Sequence, residues 1–225
     1  MPDRAALLPA PPARGSPAAA ADEAAHRALA SQRATTRWQR ATADAELLKW
    51  PQATASFACT LGMPITEHAT PHLAMLLRRT LGDAGLATYA AKDSYQRTRP
   101  YVSEKETTCH AADEKSLAKD GSYPSGHAAL GWAWALILAE LAPERADALL
   151  QRGHAFGQSR VVCGYHWQSD VDHGRQVGAA AVARLHADPT FTAQAALAKA
   201  EIDAARAQGL KSPGNCAAEA QALAR

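Results

Sequence analysis

The sequence predicts an all-α protein, built as a single-domain helical bundle, and three observations support this fold class. Alanine is abundant and β-branched residues are sparse, a composition that favours helix over strand. No segment shows the strict apolar–polar alternation of a half-buried strand, whereas apolar residues recur at helical spacing. A chain of 225 residues with a hydrophobic fraction of 47% is also long enough to bury one sizeable core.

The chain divides into three parts by composition. Residues 1–20 are rich in Ala and Pro and are predicted to form an extended N-terminal arm. Residues 21–208 carry the helical domain, in which the stretch from about Asp22 to Leu48 is helical and fairly polar. Residues 209–225 form a C-terminal tail that is expected to be irregular at first.

A helix-start signal marks the next element. Thr70 resembles an N-cap, and Pro71 suits the first helical position. The apolar positions that follow share one helical face: Leu73, Leu76 and Leu77. Gly82 and Gly85 are expected to interrupt this helix before it resumes.

The second half of the chain shows a succession of helical patterns. They are a short charged helix near residues 113–118, an apolar helix opened by Ser125-Gly126, a helix that begins at Pro143, and helices at about 169–186 and 192–207. The longest apolar stretch, residues 128–139, is stopped by Glu140. It falls short of the roughly eighteen residues that a membrane-spanning helix needs, so no membrane insertion is expected.

Charge and cysteine content exclude several classes of partner. Lys and Arg total 24 against 22 for Asp and Glu, so the chain lacks the clustered positive charge that a nucleic-acid polymer or an anionic membrane surface requires. The four cysteines form no CxxC pair, which leaves a zinc site poorly supported: Cys59, Cys109, Cys163 and Cys216. Their even number permits two disulfides in three connectivities, or four free thiols in a cytosolic protein.

The beginning of the sequence lacks the pattern of a secretory signal. Met1 to Arg4 lead into a short stretch that is broken by prolines, without the apolar segment of a signal peptide. The sequence is therefore interpreted either as a cytosolic protein or as a mature form with an added initiator Met.

The first segment with chemical potential runs from Lys92 to Pro100. Lys92 and Arg99 are seven residues apart, which is two turns of a helix, so both are expected to project from one face. Two cations on one face repel each other unless an anion lies between them, and Arg99 is suited to grip a phosphate with two parallel hydrogen bonds. The alternative is a solvated basic helix end that Pro100 terminates.

The second segment runs from Gly121 to His127 and precedes the apolar helix. A helix N-terminus binds anions through its unpaired N–H groups and its partial positive charge. Gly126 permits a close approach of the backbone, the Ser125 hydroxyl adds a donor, and His127 would lie beside the bound group. The alternative is an ordinary Ser N-cap with a surface His.

The third segment runs from Ser159 to Asp170. If it is helical, His166 and Asp170 share a face at i and i+4, and the carboxylate fixes one ring nitrogen and frees the other as a nucleophile. Arg160 would supply a third cation. The alternative is a structural His–Asp pair.

In combination, the three segments resemble the superfamily of type 2 phosphatidic acid phosphatases and vanadium haloperoxidases. The pattern is Lys-x6-Arg-Pro, then Pro-Ser-Gly-His, then Ser-Arg-x5-His-x3-Asp, and this chain fits every position. The strings GSYPSGH and CGYHWQSDVD, with Leu7–Pro9 and Pro64–Glu67, are similar to the class A bacterial nonspecific acid phosphatases in particular. Two departures stand outside the motif residues: Ala128, where Thr is usual, and His173-Gly174.

The resemblance implies a helical bundle of the acid phosphatase/vanadium haloperoxidase type, and a metal-independent acid phosphatase that uses no cofactor. It implies a broad range of phosphate monoesters (nucleotides, sugar phosphates and aryl phosphates), with phosphotransferase activity as a possible addition. His166 would become a phosphohistidine, Asp170 would orient it, and His127 would act as acid and base. The residues that would hold phosphate, or vanadate as an inhibitor, are Lys92, Arg99, Ser125, Gly126 and Arg160.

Class A enzymes are exported, so the resemblance also implies a periplasmic protein with disulfides, for which Cys109–Cys163 and Cys59–Cys216 are one plausible pairing. It implies a homodimer or larger homo-oligomer, to which the N-terminal arm could contribute; the alternative for the arm is simple disorder. Three rivals stay open: a vanadium haloperoxidase, a lipid phosphatase without its membrane helices, and a phosphate-binding protein without catalysis.

Overall fold

The regular secondary structure of the protein is helical. The structure, a computed structural model, describes residues 7–47 and 52–224, and these contain helices and no strand. This confirms the all-α prediction. The α-helices are α1 Pro17–Leu29, α2 Thr36–Ala45, α3 Gln52–Leu61, α4 Pro71–Leu86, α5 Tyr89–Tyr95, α6 Pro100–Ser103, α7 Glu114–Leu117, α8 Gly126–Leu141, α9 Ala146–Val162, α10 Gln168–Leu185, α11 Pro189–Ala207 and α12 Cys216–Leu223. Short 3₁₀ turns lie at Ala30–Gln32, Ala111–Asp113 and Pro143–Arg145.

Several helix boundaries differ from the sequence prediction. The stretch predicted as helical from Asp22 is two helices, because Thr35 caps a new helix by accepting a hydrogen bond from the Trp38 N–H. Leu48, the predicted end of that stretch, lies outside the described residues. Gly82 and Gly85 do not interrupt α4, since a helix tolerates glycine at a modest cost in stability.

The apolar helix α8 forms the centre of the bundle, with α9 and α10 packed along it. Trp134 of α8 is fully buried and donates its indole N–H to the Leu77 carbonyl of α4 at 2.9 Å. Helix α10 comes so close that a Cβ on Gly178 would lie 2.2 Å from the Ala129 carbonyl oxygen. Small residues at this contact therefore fix the position of α10 against α8.

A buried ion cluster joins α2, α9 and α12. The fully buried carboxylate of Asp44 accepts hydrogen bonds from Arg152 at 2.5 Å and from Arg40 at 2.7 Å. Glu219 of α12 contacts the same two guanidinium groups at 2.9 and 3.4 Å. Ser159 donates to Asp44 at 2.6 Å, so the serine of the Ser-Arg motif holds α9 in place. This cluster therefore attaches the C-terminal helix α12 to α2 and α9.

Two disulfides close the chain at distant points. Cys109 pairs with Cys163, and Cys59 pairs with Cys216 across 157 residues of sequence. This is the pairing that the class A resemblance made plausible, and the sequence alone left it open among three. The second bridge joins α3 to the first residue of α12.

In the parts of the chain that the structure describes, each helix is either too short or too polar to cross a bilayer.

Loss of the long-range disulfide is expected to destabilise the domain. The double variant Cys59→Ser/Cys216→Ser should lose about 2–4 kcal/mol in the free energy of unfolding, because the bridge closes a long loop and restricts the unfolded chain. Urea unfolding followed by circular dichroism measures the difference. In reductant the variant and the parent protein should unfold alike if the bridge is the cause. Equal stability without reductant would contradict the role given to the bridge.

Candidate active site

Three cationic side chains are buried in one region of the bundle. Lys92 of α5, Arg99 and Arg160 of α9 are 4%, 2% and 1% exposed. Lys92 and Arg99 do not share a helical face as predicted, because α5 ends at Tyr95 and the backbone at Gln96 is left-handed, with φ of 43°. They converge through Asp120, whose Oδ2 lies 3.2 Å from Lys92 Nζ and 3.0 Å from Arg99 Nη2.

The Arg99 guanidinium is held mainly by backbone carbonyl groups. Its Nε donates to the Leu117 oxygen at 2.8 Å and to the Asp120 oxygen at 3.1 Å. Its Nη1 donates to the Tyr165 oxygen at 3.2 Å. Lys92 likewise donates to the Gly121 carbonyl. The backbone on both sides of the site therefore fixes the direction of these cations.

Arg160 is the cation with unsatisfied donors. Its Nε and Nη1 are buried and have no hydrogen-bond partner among the described residues. Its Cζ lies 4.2 Å from the centroid of the Tyr165 ring, which supports the guanidinium plane by a cation–π contact. Buried donors on a charged group are costly unless an anion or another acceptor meets them. Arg160 thus indicates a place for an anionic ligand.

The loop before α8 brings a helix N-terminus to the same region. Ser125 is the N-cap of α8 and accepts a hydrogen bond from the Ala128 N–H at 3.2 Å, so its own hydroxyl hydrogen is free to donate. The Ser125 N–H donates to the Asp170 carbonyl at 2.9 Å and thereby fastens the loop to α10. Gly126 and His127 are partly exposed, which opens this end of the site to solvent.

His166 and Asp170 meet, although not along a helix. His166 lies in the turn before α10 and Asp170 in the first turn of α10, so the predicted i, i+4 helical pair is wrong in its geometry. The turn nevertheless places His166 Nδ1 3.4 Å from Asp170 Oδ2. On the other side of the ring, Nε2 lies 3.1 Å from Arg99 Nη1. A guanidinium can only donate, so Nε2 holds a lone pair and Nδ1 carries the proton that faces Asp170.

His127 is fixed by the end of α2. Its Nε2–H donates to the Ala45 carbonyl at 3.1 Å, which leaves Nδ1 as the nitrogen that gains and loses a proton. Although residue His127 keeps some exposed surface, its titrating imidazole is buried, and this burial and then the charge of Arg160 lower the pKa of His127 well below its ordinary value. This histidine is therefore charged only in acidic solution.

The other ionisable groups respond to the same concentration of positive charge. Burial and then Arg99 lower the pKa of His166 well below its ordinary value, so its Nε2 lone pair persists into acidic solution. Burial and Arg99 lower the pKa of Lys92 to about 8, which leaves the ammonium charged below neutral pH. Burial raises the pKa of Asp170, and the neighbouring Arg97 opposes that rise.

Sequence reasoning did not find three residues of this site. Arg97 and Asp120 are charged and each lies within or next to a motif, so their position in the sequence could have identified them. Asp22 lies in α1, and its Oδ2 lies 2.7 Å from Nη2 of Arg97. No local sequence pattern indicates this contact. The described residues also contain no group of three or more His, Cys, Asp or Glu side chains that converge as metal ligands.

Residues 72–191 match the PAP2 superfamily. The chain belongs to this superfamily. The match includes all eight residues that the motifs single out, from Lys92 to Asp170. Helices α1 to α3, most of α11 and the whole of α12 lie outside the matched range.

Three proteins that are similar to this chain are named acid phosphatases. It is 48% identical over 201 residues to the non-specific acid phosphatase of Providencia stuartii, an alignment that covers 89% of this chain and 81% of the relative. It is 43% identical over 197 residues to the non-specific acid phosphatase of Salmonella typhimurium, with 87% and 78% covered. It is 41% identical over 199 residues to the acid phosphatase of Zymomonas mobilis, with 88% and 75% covered. The chain is a class A nonspecific acid phosphatase.

One departure from the class A pattern proves to be a packing requirement. A Cβ on Gly174 of α10 would lie 2.5 Å from the Ser125 carbonyl oxygen and 3.0 Å from the Ala128 Cβ. Gly174 thus allows α10 to touch the loop that begins α8.

Gly174→Ala is expected to displace this loop and to lower kcat/KM for p-nitrophenyl phosphate by about 10–100-fold, because small displacements of a positioned group are costly. Gly82→Ala is the matched control, since a Cβ there meets nothing within 4 Å. Steady-state kinetics measure the effect, and circular dichroism checks the fold. Equal activity of the two variants would show that the contact does not position the loop.

Proposed function

We propose that the protein is a metal-independent hydrolase of phosphate monoesters that works through a phosphohistidine on His166. The observation that carries this proposal is the pair of unpartnered buried donors on Arg160, beside two other buried cations. A dianionic phosphoryl group is a ligand that matches such a site in charge and in its number of acceptor oxygens. The nucleophilic lone pair of His166 Nε2 faces the same cations.

The phosphoryl group would be held by charge and by the helix N-terminus. The ligands proposed for its oxygens are Lys92, Arg99, Arg160, the Ser125 hydroxyl and the Gly126 N–H. Fixed positive groups in a water-poor site stabilise the charge of a phosphoryl-transfer transition state without reorganisation. Asp120 shares its carboxylate between Lys92 and Arg99, and it is more exposed than either cation, so it limits the excess of positive charge before substrate arrives.

The reaction would proceed in two in-line displacements. His166 Nε2 attacks phosphorus, so that a P–N bond forms while the P–O bond to the leaving alcohol breaks. Asp170 faces the Nδ1–H and stabilises the positive charge that the ring acquires. His127 donates its Nδ1 proton to the leaving oxygen and then removes a proton from the water that cleaves the P–N bond. The free histidine and inorganic phosphate result.

The substrate range, the inhibitors and the cellular location are part of the same proposal. Because the contacts are to the phosphoryl group and the site opens at the partly exposed His127, we expect nucleotides, sugar phosphates and aryl phosphates to be hydrolysed. Alcohols that replace water in the second step would make the enzyme a phosphotransferase. Inorganic phosphate and vanadate should inhibit by occupying the oxygen ligands. The two disulfides support a periplasmic location.

A homo-oligomer, as a dimer or larger assembly, also belongs to this proposal. Leu86 and Tyr89, at the junction of α4 and α5, are 64% and 50% exposed. Exposed apolar side chains next to each other are candidates for a contact between copies.

His166→Ala should abolish hydrolysis of p-nitrophenyl phosphate at about pH 5–6, with a loss of at least about 1,000-fold in kcat, because no other group supplies the nucleophile. The assay includes excess chelator, in which the parent enzyme should keep its activity. The control is His186→Ala at the far end of α10. An active His166→Ala variant would refute the nucleophile. An inactive parent enzyme that oxidises halide with added vanadate would favour the haloperoxidase alternative.

The pH dependence of kcat/KM should follow His127. Because this group must be protonated and its pKa is depressed, activity should fall on the alkaline side with an apparent pKa below the ordinary value of about 6.5. Arg160→Gln removes a charge that depresses this pKa, so the alkaline limb should move to higher pH although activity falls. Both proteins receive the same substrate, and substrate ionisation therefore cancels. A rate that rises steadily to about pH 9 would contradict the assignment.

A further inference from the structure

Asp170 is bound more closely by Arg97 than by His166. Its Oδ1 accepts a hydrogen bond from Arg97 Nη1 at 2.6 Å, and its Oδ2 accepts one from the Trp167 N–H at 2.9 Å. His166 Nδ1 lies farther away, 3.4 Å from Oδ2, and Ser122 also interacts with both groups, through its backbone with His166 and through its side chain with Asp170. The carboxylate that faces His166 therefore has much of its negative charge already engaged.

Arg97 is in turn held by a second carboxylate. Its Nη2 donates to Asp22 Oδ2 at 2.7 Å, and its Nη1 also donates to Ser169 Oγ at 2.8 Å. Asp22 accepts from the Ser169 N–H at 2.8 Å and from the Ser169 hydroxyl at 2.6 Å. The Arg97 guanidinium lies over the Trp167 ring at 5.7 Å. Asp22, Arg97 and Asp170 thus form a chain of alternating charges that ends at His166.

This chain of charges is mostly shielded from water. The side chains of Asp22, Arg97 and Asp170 are 4%, 13% and 0% exposed. Ion pairs in such surroundings interact more strongly than those at a surface, because water screens them less. Asp22 competes with Asp170 for Arg97, so each carboxylate weakens the hold of the guanidinium on the other.

We propose that Arg97 and Asp22 are positioning residues that set, with opposite signs, how strongly Asp170 attracts the Nδ1 proton of His166. By binding Asp170, Arg97 weakens the attraction of Asp170 for the His166 proton. By binding Arg97, Asp22 reduces this effect of Arg97. The catalytic use of this device rests on the proposed phosphohistidine mechanism, whereas the electrostatic coupling does not. Asp22 lies in α1, outside the PAP2 match at residues 72–191, so this part of the site comes from the N-terminal extension of the domain.

The chemical purpose is to match Asp170 to two states of His166. The resting ring must keep its Nε2 lone pair in acidic solution, and a strongly attracting carboxylate would favour the protonated imidazolium instead. A ring that carries a phosphoryl group is positively charged and attracts Asp170 without help. A carboxylate that is partly engaged by Arg97 suits both states, because it leaves the resting ring neutral and still lies within reach of the charged one.

The other charged groups around His166 stay constant in this comparison. They are Lys92 of α5, Arg99 before α6, His127 of α8 and Arg160 of α9. In the described part of the structure, the side-chain hydrogen bonds and ion pairs of Arg97 and Asp22 join these residues to each other, to Ser169 and to Asp170, and not to these four groups. Substitutions at these two positions therefore change the field at His166 through Asp170.

The test is nuclear magnetic resonance of the imidazole N–H protons in the full chain, with His166 assigned by comparison with His166→Ala. Arg97→Met should move the His166 Nδ1–H resonance downfield, because Asp170 becomes a stronger acceptor. Asp22→Asn should move it upfield, because Arg97 then acts on Asp170 alone. Arg97→Lys should restore part of the parent position. Arg40→Met is the matched control, since Arg40 is 17% exposed and pairs with the buried Asp44 of the other ion cluster.

The acid limb of the kcat profile gives the second readout. It should shift by at least about half a pH unit, upward in Arg97→Met and downward in Asp22→Asn. A purely structural role would shift both in the same direction or lower activity without moving the limb, and either result would overturn the proposal. If Arg97→Met does not fold, Asp22→Asn and Arg97→Lys still give the direction in which the resonance and the acid limb move. Opposite resonance shifts without any shift of the acid limb would keep the coupling and would reject His166 as the nucleophile.

Discussion

Mutual repulsion among Lys92, Arg99 and Arg160 is the constraint around which the site is built. Charges of one sign in a water-poor interior repel strongly, and each also loses its hydration. The fold offsets this cost for Arg99 and Lys92 with carbonyl oxygens and with Asp120, which together fix their directions. Arg160 Nε and Nη1 meet no hydrogen-bond partner in the described part of the chain. The folded chain thus holds buried donors that the phosphoryl group of the proposed mechanism would satisfy, and a site of this kind is preorganised for its ligand.

The scaffold supplies rigidity where this repulsion would otherwise open the bundle. Helix α9 carries Arg160 and is tied to α2 by the hydrogen bond from Ser159 to Asp44, one residue away from Arg160. The Cys109–Cys163 bridge holds the end of the same helix to the connector that follows α6. Stability is therefore concentrated next to the position that would be strained most, as expected when a functional site conflicts with stability.

Sequence reasoning predicted the fold class and the residues that meet, but not how they meet. Helical periodicity relates residues within one element, so it assigned Lys92 with Arg99, and His166 with Asp170, to shared helical faces. In the structure neither pair lies within one helix: Asp120 joins Lys92 to Arg99, and the turn before α10 brings His166 to Asp170. Asp22 was beyond reach for the same reason, since it lies 75 residues from Arg97 in the chain. The family motif succeeded because it records the result of tertiary packing.

The hydrogen bond between the Ser125 N–H and the Asp170 carbonyl joins the loop before α8 directly to the first turn of α10. The loop that we propose to bind the phosphoryl group is thereby fastened to the residue that faces His166. Substitutions at the partly exposed rim near His127 can then change which alcohols are accepted, while the reacting geometry is preserved. In the proposed mechanism, this single backbone contact therefore separates the selection of the leaving alcohol at the rim from the chemistry at His166.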